Sequence, residues 1–258
     1  MAMMERDMGV LLVDMGNSRI KWAAARGGAL GAVHSVAHEG DLRPFLDHPA
    51  WRDAVLPGRL VVVSVLGAEL NAVLVHWVQQ HWQLPVEFMV ARREGWGIRS
   101  RYHQPQQLGA DRWAALVAAR AMCGGACCIC DCGTALTLDV LGADGSHRGG
   151  LIMPGLQMMR HALGRGTDAI GVMAEAELDT LPLFAANTRD AVLGGTLYNM
   201  VAVIERFAQD VRHALGEEPQ QVISGGDSGQ LLPLLRGGVR HEPHLVLQGA
   251  LIMAGQNS

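Results

Sequence analysis

No uninterrupted apolar run in the sequence approaches the roughly 18 to 20 residues that a membrane-spanning helix needs. Low-complexity segments are missing, and so is any excess of basic residues: 21 Lys and Arg stand against 25 Asp and Glu, a net charge of -4. That balance supplies no general field for nucleic acid or an anionic membrane surface, so any phosphate binding has to be local. The first residues, MAMMERDMG, lack the basic region and long apolar stretch of a secretory signal, which predicts a cytoplasmic protein. Cysteine is too scarce for a disulfide framework. There are 5, and Cys123, Cys127, Cys128, Cys130 and Cys132 crowd into one short segment. Cys127 and Cys130 form a C-x-x-C pair, but no second pair or nearby His follows at zinc spacing. The segment ACCICD reads instead as a strand whose alternate side chains point apart, which predicts reduced thiols acting as small apolar residues.

What the chain does contain is an ordinary globular composition, 49% hydrophobic and 18% charged, in 258 residues, enough for one large domain or two small ones. Strand-like runs fall at 10–13, 60–65, 86–90, 126–130, 135–140, 221–224 and 245–247, several rich in β-branched residues. Helix-like runs fall at 69–82, 111–122 and 189–215. In the last, Leu193, Leu197, Met200, Ile204, Phe207 and Val211 recur at three- and four-residue steps, a stripe for a partner helix of this chain or of a second subunit to bury. The mixture predicts an α/β architecture.

Near the N-terminus, VLLVDMGNSRIKW runs four apolar residues into Asp14, then Gly16, Asn17, Ser18 and Lys21. Nearly half the chain later CCICDCGTALTLD repeats the chemistry, with Asp131, Gly133 and Thr134. One such segment alone is a hairpin with a polar turn. Two copies predict a duplicated α/β unit with one phosphate-facing hairpin per half and a nucleotide between the halves. In that picture Gly16 lets the backbone approach a ligand. Turn amides, the Ser18 hydroxyl and the Asn17 amide point at phosphate oxygens, and Lys21 adds a compact positive charge. Asp14 would repel phosphate directly, so its predicted role is to hold magnesium through water.

A third segment, YHQPQQLGADRW, frees the backbone at Gly109 just before an amphipathic helix and puts Asp111 in its first turn, where a carboxylate is favoured. Two readings stay open from these residues. Asp111 is a helix cap with Arg112 as a solvent-facing partner, or, in a kinase cleft, Asp111 accepts the proton of a substrate hydroxyl while Arg112 pairs with an anionic group. Tyr102, one of 2 tyrosines, covers that pocket or packs in the core.

Together DMGNSRIKW, YHQPQQLGADRW, DCGTALTLD, GGLIMPG and Asn187-Thr188-Arg189 resemble, in their order, the motifs of the type III pantothenate kinases, from about residue 10 to the C-terminus. The resemblance implies the fold shared by acetate and sugar kinases, heat-shock chaperone ATPases and actin: two ribonuclease-H-like halves, here 1–120 and 121–258, with a nucleotide cleft between them. It implies ATP-dependent phosphorylation of pantothenate, the first step of coenzyme A synthesis, in a homodimer that uses magnesium and a monovalent cation, potassium or ammonium. Carried over by position, the ATP loop falls on Asp14, Met15, Gly16, Asn17, Ser18, Arg19, Ile20 and Lys21, and a second phosphate-side residue on Thr134. The catalytic base falls on Asp111, pantothenate contacts on Tyr102, Gly109, Ala110, Arg112 and Thr188, and the monovalent-cation ligand on Asp131. The sequence departs from the family pattern mildly. Ser18 stands where many relatives carry Thr, which keeps the hydroxyl, and His103-Gln104 stands where Asp-Asn is common. Ser224-Gly225-Gly226-Asp227 resembles the late glycine turn that meets adenine in this superfamily.

Other conspicuous residues have plainer readings. His76, His81, His103 and His161 lack metal spacing and are predicted at the surface or in packing, Trp22, Trp77, Trp82 and Trp113 in the core, and the 13 Met as gap-fillers. GGLIMPG lines the pocket or simply turns the chain. Two other functions compete: a kinase of the same superfamily acting on a sugar or acyl group, and a non-enzymatic regulatory protein that binds nucleotide. Intact Asp14, Lys21, Asp111 and Asp131 argue against a degenerate site, and the acidic balance argues against direct DNA binding.

Overall fold

The apolar run that opens the chain becomes the middle strand of a sheet in the computed structural model, which describes residues 9–167 and 183–255. This strand, β1 (Val10–Met15), is followed by β2 (Arg19–Arg26), β3 (Ala29–Leu30), β4 (His34–Ala37), α1 (Arg43–Leu46), α2 (Pro49–Arg52), β5 (Arg59–Ser64), α3 (Ala68–His81) and β6 (Val86–Met89). The sheet order is β3-β2-β1-β5-β6, with β4 also paired to β2. β1 runs antiparallel to β2 and parallel to β5, and β5 runs parallel to β6. The two-residue pleat sorts the side chains: Leu11, Val13 and Met15 share a face with Ile20, Trp22, Leu60 and Val62, and bury it under Phe45, Leu46, Trp51, Leu74 and Val78. Trp22 and Trp113 are buried as predicted, whereas Trp77 and Trp82 are half-buried at the margin of this core. A small hairpin of β7 (Glu94–Gly95) and β8 (Ile98–Arg99) then leads to α4 (Ala110–Met122).

The second sheet is built from β9 (Cys127–Cys132), β10 (Ala135–Leu141), β11 (His147–Pro154), β12 (Gln220–Ser224) and β13 (Val239–His241), in the order β11-β10-β9-β12-β13. β9 is antiparallel to β10 and parallel to β12, β10 is antiparallel to β11, and β12 is parallel to β13. Strand for strand this repeats β3-β2-β1-β5-β6 in order and sense, so the duplication expected from the two Asp-x-Gly segments is present in the topology. Among the described residues, the α-helices of this half are α5 (Leu156–Gly166), α6 (Thr188–Leu215) and the short α7 (Ser228–Leu231).

The stripe on α6 needs no second subunit. Leu197, Met200 and Ile204 pack on Cys130, Cys132, Leu136 and Leu138, and Val211 packs with Cys128 and Val140. Cys128, Cys130 and Cys132 thus line one sheet face beneath α6, where burial pushes the Cys128 thiol up to about 12 and raises the other two as well. Strand alternation puts Cys127 and Cys130 on opposite faces.

One element corrects two expectations. The run 245–247, read as a strand, opens a helix, α8 (Leu245–Gly255), and three apolar residues are too few for periodicity to separate the two. This helix belongs with the first half and not the second. The chain divides into one unit reaching Ala118 and including α8, and another from Ala119 to His244. α8 packs on β1 and β5. Arg59 holds its end, donating to the Ala254 carbonyl (2.8 Å) while two further N–H groups grip Glu87 at 2.9 and 2.7 Å.

Against α4, α8 comes so close that a Cβ on Gly249 would collide with the Ala114 carbonyl. Gly249→Ala is therefore expected to cost about 1–3 kcal/mol in urea unfolding, as overpacking against backbone does. Gly255→Ala, on the same helix with open space around it, is expected to stay within about 0.5 kcal/mol of the parent.

Candidate active site

Asp14 is the penultimate residue of β1 and pairs in register with Lys21 of β2. Directly opposed residues of an antiparallel pair share a face, here the face away from Leu11, Val13 and Met15. The turn closes when Gly16 N–H donates to the Arg19 carbonyl (3.1 Å), leaving Asn17, Ser18 and Arg19 exposed at its tip. Met15 and Ile20 are fully buried in the core. Within the stretch Asp14–Lys21 those two can offer a ligand only backbone groups.

Behind the turn stands a residue that the sequence did not reveal. His38, 5% exposed, follows β4 and donates its backbone N–H to the Ser18 carbonyl at 3.0 Å. Its Nε2 lies 2.8 Å from the Gly16 carbonyl, and Gly40 N–H donates to its Nδ1 at 3.3 Å. No motif or periodicity links position 38 to a turn 22 residues earlier.

On the prospective substrate side, the Gly109 carbonyl accepts Trp113 N–H (3.0 Å) and starts α4. Asp111 Oδ1 accepts the Arg112 N–H (2.7 Å), one of the donors that a helix start leaves without an intrahelical partner. Arg112 is not solvent-facing, which corrects one of the two open readings. It is 6% exposed, its Nη1 donates to Tyr102 Oη (2.9 Å), and its guanidinium lies 5.7 Å from the Tyr102 ring centroid. A buried guanidinium needs such hydrogen bonds, and the tyrosine supplies one with a π face besides. The structure therefore joins Tyr102, Asp111 and Arg112 around one helix start. The β7–β8 hairpin packs beside them. Its turn puts Trp96 at φ +51° and Gly97 at φ +73°, both in the left-handed region that a two-residue type I′ turn requires. Trp96 meets the buried Trp113 edge-on at 6.2 Å, with the Arg92 guanidinium 5.2 Å from its own centroid. His76, His81, His103 and His161 are exposed.

In the second unit Asp131 is again penultimate in its strand, paired with Thr137 on one side and Ser224 on the other. Gly133 N–H donates to the Ala135 carbonyl (3.1 Å), so this turn is one residue tighter than the first, with Thr134 exposed at its tip. Two glycines close on it. Gly155, from GGLIMPG, donates to the Thr134 carbonyl at 3.1 Å, and a Cβ there would collide with the Gly133 carbonyl. Gly225, at φ +93°, lies against the Cys132 carbonyl, and its Cβ would stand 2.6 Å from Asp131 Oδ1. Asp227 N–H donates to the Cys132 carbonyl (2.9 Å), and Ser228 Oγ donates to the Gly225 carbonyl (2.7 Å) with His241 Nε2 at 2.9 Å. The late glycine turn and the Gly133–Thr134 hairpin are thus one packed piece. Thr188 is exposed as the first residue of α6, next to its cap Asn187, which accepts Asp190 N–H at 2.9 Å. Along the same helix a cavity of about 560 Å³ is lined by Phe184, Ala191, Gly194, Gly195 and Tyr198.

Comparison with known proteins bears on the family and the fold. The family model described as type III pantothenate kinase matches residues 10–210. A type III pantothenate kinase of Nitrosococcus oceani is 44% identical over 254 residues, covering 96% of this chain and 95% of that protein. Another, of Halorhodospira halophila, is 36% identical and covers 93% and 96%. Among solved structures, a candidate Baf family transcriptional activator from Campylobacter jejuni superimposes with a TM-score of 0.62 at 19% identity, covering 96% and 100%. A glucokinase of the ROK family from Streptomyces griseus, in complex with glucose and AMPPNP, gives 0.54 at 12% identity, covering 95% and 98%. These two carry the fold, that of the sugar kinases with two ribonuclease-H-like halves. The family rests on the sequence matches: this chain belongs to the type III pantothenate kinases.

Proposed function

We propose that this protein transfers the γ-phosphoryl group of ATP to the hydroxyl of pantothenate, giving 4′-phosphopantothenate for coenzyme A synthesis. The observation that carries the reading is the Tyr102–Arg112–Asp111 group, a carboxylate one residue from a buried guanidinium at a helix start. The planar fork of N–H donors on Arg112 matches a carboxylate in geometry and charge, which suits the pantothenate carboxylate. Asp111 then accepts the hydroxyl proton as the oxygen attacks the γ-phosphorus, and the bond from that phosphorus to the β–γ bridging oxygen breaks with its electron pair leaving on ADP. Asn17, Ser18 and Lys21 are the phosphate-side groups of the first hairpin, and Thr134 is that of the second. Thr188 contributes a further pantothenate contact, and the turn at Gly225 receives adenine.

The donor set fits hard cations. Asp14, at the exit of β1 opposite Lys21, would hold magnesium through water, and the ion would offset phosphate charge. Asp131, set against the Cys132 carbonyl and the Gly225 turn, offers an oxygen site for potassium or ammonium, relieving repulsion between the carboxylate and the polyphosphate. We also propose a homodimer. With the α6 stripe buried inside the unit, the contact surface is the edge strand β11 and its surroundings, where Leu151, Ile152, Met158 and Tyr198 are exposed.

Asp111→Asn is expected to lower kcat by about 10²- to 10⁴-fold while ATP binding by calorimetry stays near that of the parent. Turnover within a few-fold of the parent would remove Asp111 as the base. In sodium or Tris buffer with magnesium fixed, added potassium chloride should raise the parent rate from a low baseline, and Asp131→Ala should lose most of that response. Equal rates with and without potassium or ammonium would end the cation assignment. Light scattering at micromolar concentration should report a dimer mass, shifted towards monomer by Ile152→Lys. A parent monomer would refute the assembly.

A further inference from the structure

His38 lies outside every motif, yet it touches the first hairpin at two carbonyls and at nothing that a simple core residue would need. Its backbone N–H meets the Ser18 carbonyl at 3.0 Å, and its ring Nε2 meets the Gly16 carbonyl at 2.8 Å. Gly16 O can only accept and Gly40 N–H, 3.3 Å from Nδ1, can only donate. The arrangement is satisfied by one species, the neutral imidazole with its proton on Nε2.

Peptide planarity turns these two contacts into control of the loop. In a trans peptide the C=O and the following N–H point in opposite directions. Holding the Gly16 carbonyl towards His38 therefore aims the Asn17 N–H the other way, and holding the Ser18 carbonyl does the same for the Arg19 N–H. The first of these planes is attached to a glycine, the residue least able to resist a peptide flip by itself. The next strand supplies what Gly16 lacks. β2 pairs with β4 from Arg19↔Ala37 to Trp22↔His34, which delivers His38 to the back of the turn while Asn17 and Ser18 stay exposed at its tip.

We propose that His38 is a positioning residue for ATP, its Nε2–H fixing the Gly16–Asn17 peptide so that the loop amides are set for phosphate before the nucleotide arrives. The inference rests on the reading of Asp14–Lys21 as the ATP loop. His38 touches no substrate and acts through that peptide alone. Its loss leaves the loop free to flip, and ATP must reorder it on binding. The deficit falls on ATP affinity more than on the chemical step at saturation.

Three variants separate the contacts. His38→Ala is expected to raise the KM for ATP by about 3- to 10-fold, the range for one net hydrogen bond, with kcat at saturating ATP and the KM for pantothenate within about twofold of the parent. His38→Gln, whose amide nitrogen reaches the place of Nε2, should restore most of the affinity. His38→Asn, whose oxygen replaces Nδ1 and keeps only the Gly40 contact, should not. If His38→Ala fails to fold by circular dichroism, the Gln and Asn pair still decides. Imidazole nitrogen shifts by NMR should report the Nε2–H tautomer in the parent. Lys21→Ala controls for the loop reading itself. An unchanged ATP KM in Lys21→Ala would overturn the ATP loop, and a raised one there with equal KM values in His38→Gln and His38→Asn would overturn the role of His38 alone.

Discussion

The site depends on how each central strand is flanked. β1 has an antiparallel neighbour, β2, on one side and a parallel one, β5, on the other, and β9 has the same pair in β10 and β12. At the carboxyl end of such a strand the chain turns back at once into the hairpin, whereas the parallel neighbour ends beside it and departs. Backbone groups there are not covered by the next strand, which is why open α/β sheets bind ligands at such divergences. Asp14 and Asp131 occupy the last position but one of these strands. The pleat then keeps Asp14 off the core face that Leu11, Val13 and Met15 fill. A one-residue slip would drive that carboxylate into an apolar core, so the register that builds the core also places the site.

Much of this is readable without coordinates because it is periodic or repeated. The strands at 10–13, 60–65 and 135–140 are short β-branched or aliphatic runs, and the two Asp-x-Gly segments announce the duplication. What escapes reading is set by tertiary partners. β2 hides because Arg19 and Arg26 sit at its ends and small alanines fill its second half. The start of α8, 245–247, reads as a strand because its residues are uniformly apolar, as befits a helix buried against β1 and β5. The α6 stripe was legible, but its burial beneath three cysteines and the leucines of β10 was not, since the small thiols read as weak core formers. Arg112 illustrates the same limit at the site. An arginine beside an aspartate on a helix reads as surface, and the ring and hydroxyl of Tyr102 help to make its burial tolerable.

The two hairpins share a topology but are held by different means, and the difference has mechanistic weight. The second turn is fixed by backbone against backbone: Gly155 on the Thr134 carbonyl, Gly225 at φ +93° on the Cys132 carbonyl, and Asp227 N–H on the same oxygen. Such contacts are steric and nearly all-or-none, because any side chain at Gly155 or Gly225 would push the turn out of place. The first turn is one residue longer and has a side chain behind it in place of that packing. A single hydrogen bond is worth only about 0.5–1.5 kcal/mol net, so its hold is graded. On the proposed assignment the tighter turn carries Asp131, where a monovalent ion would gain from oxygens already held in place. The looser one carries Asp14, Asn17 and Ser18, the groups proposed to face hydrated magnesium and polyphosphate, and there the setting of the amides rests on a hydrogen bond and not on steric packing.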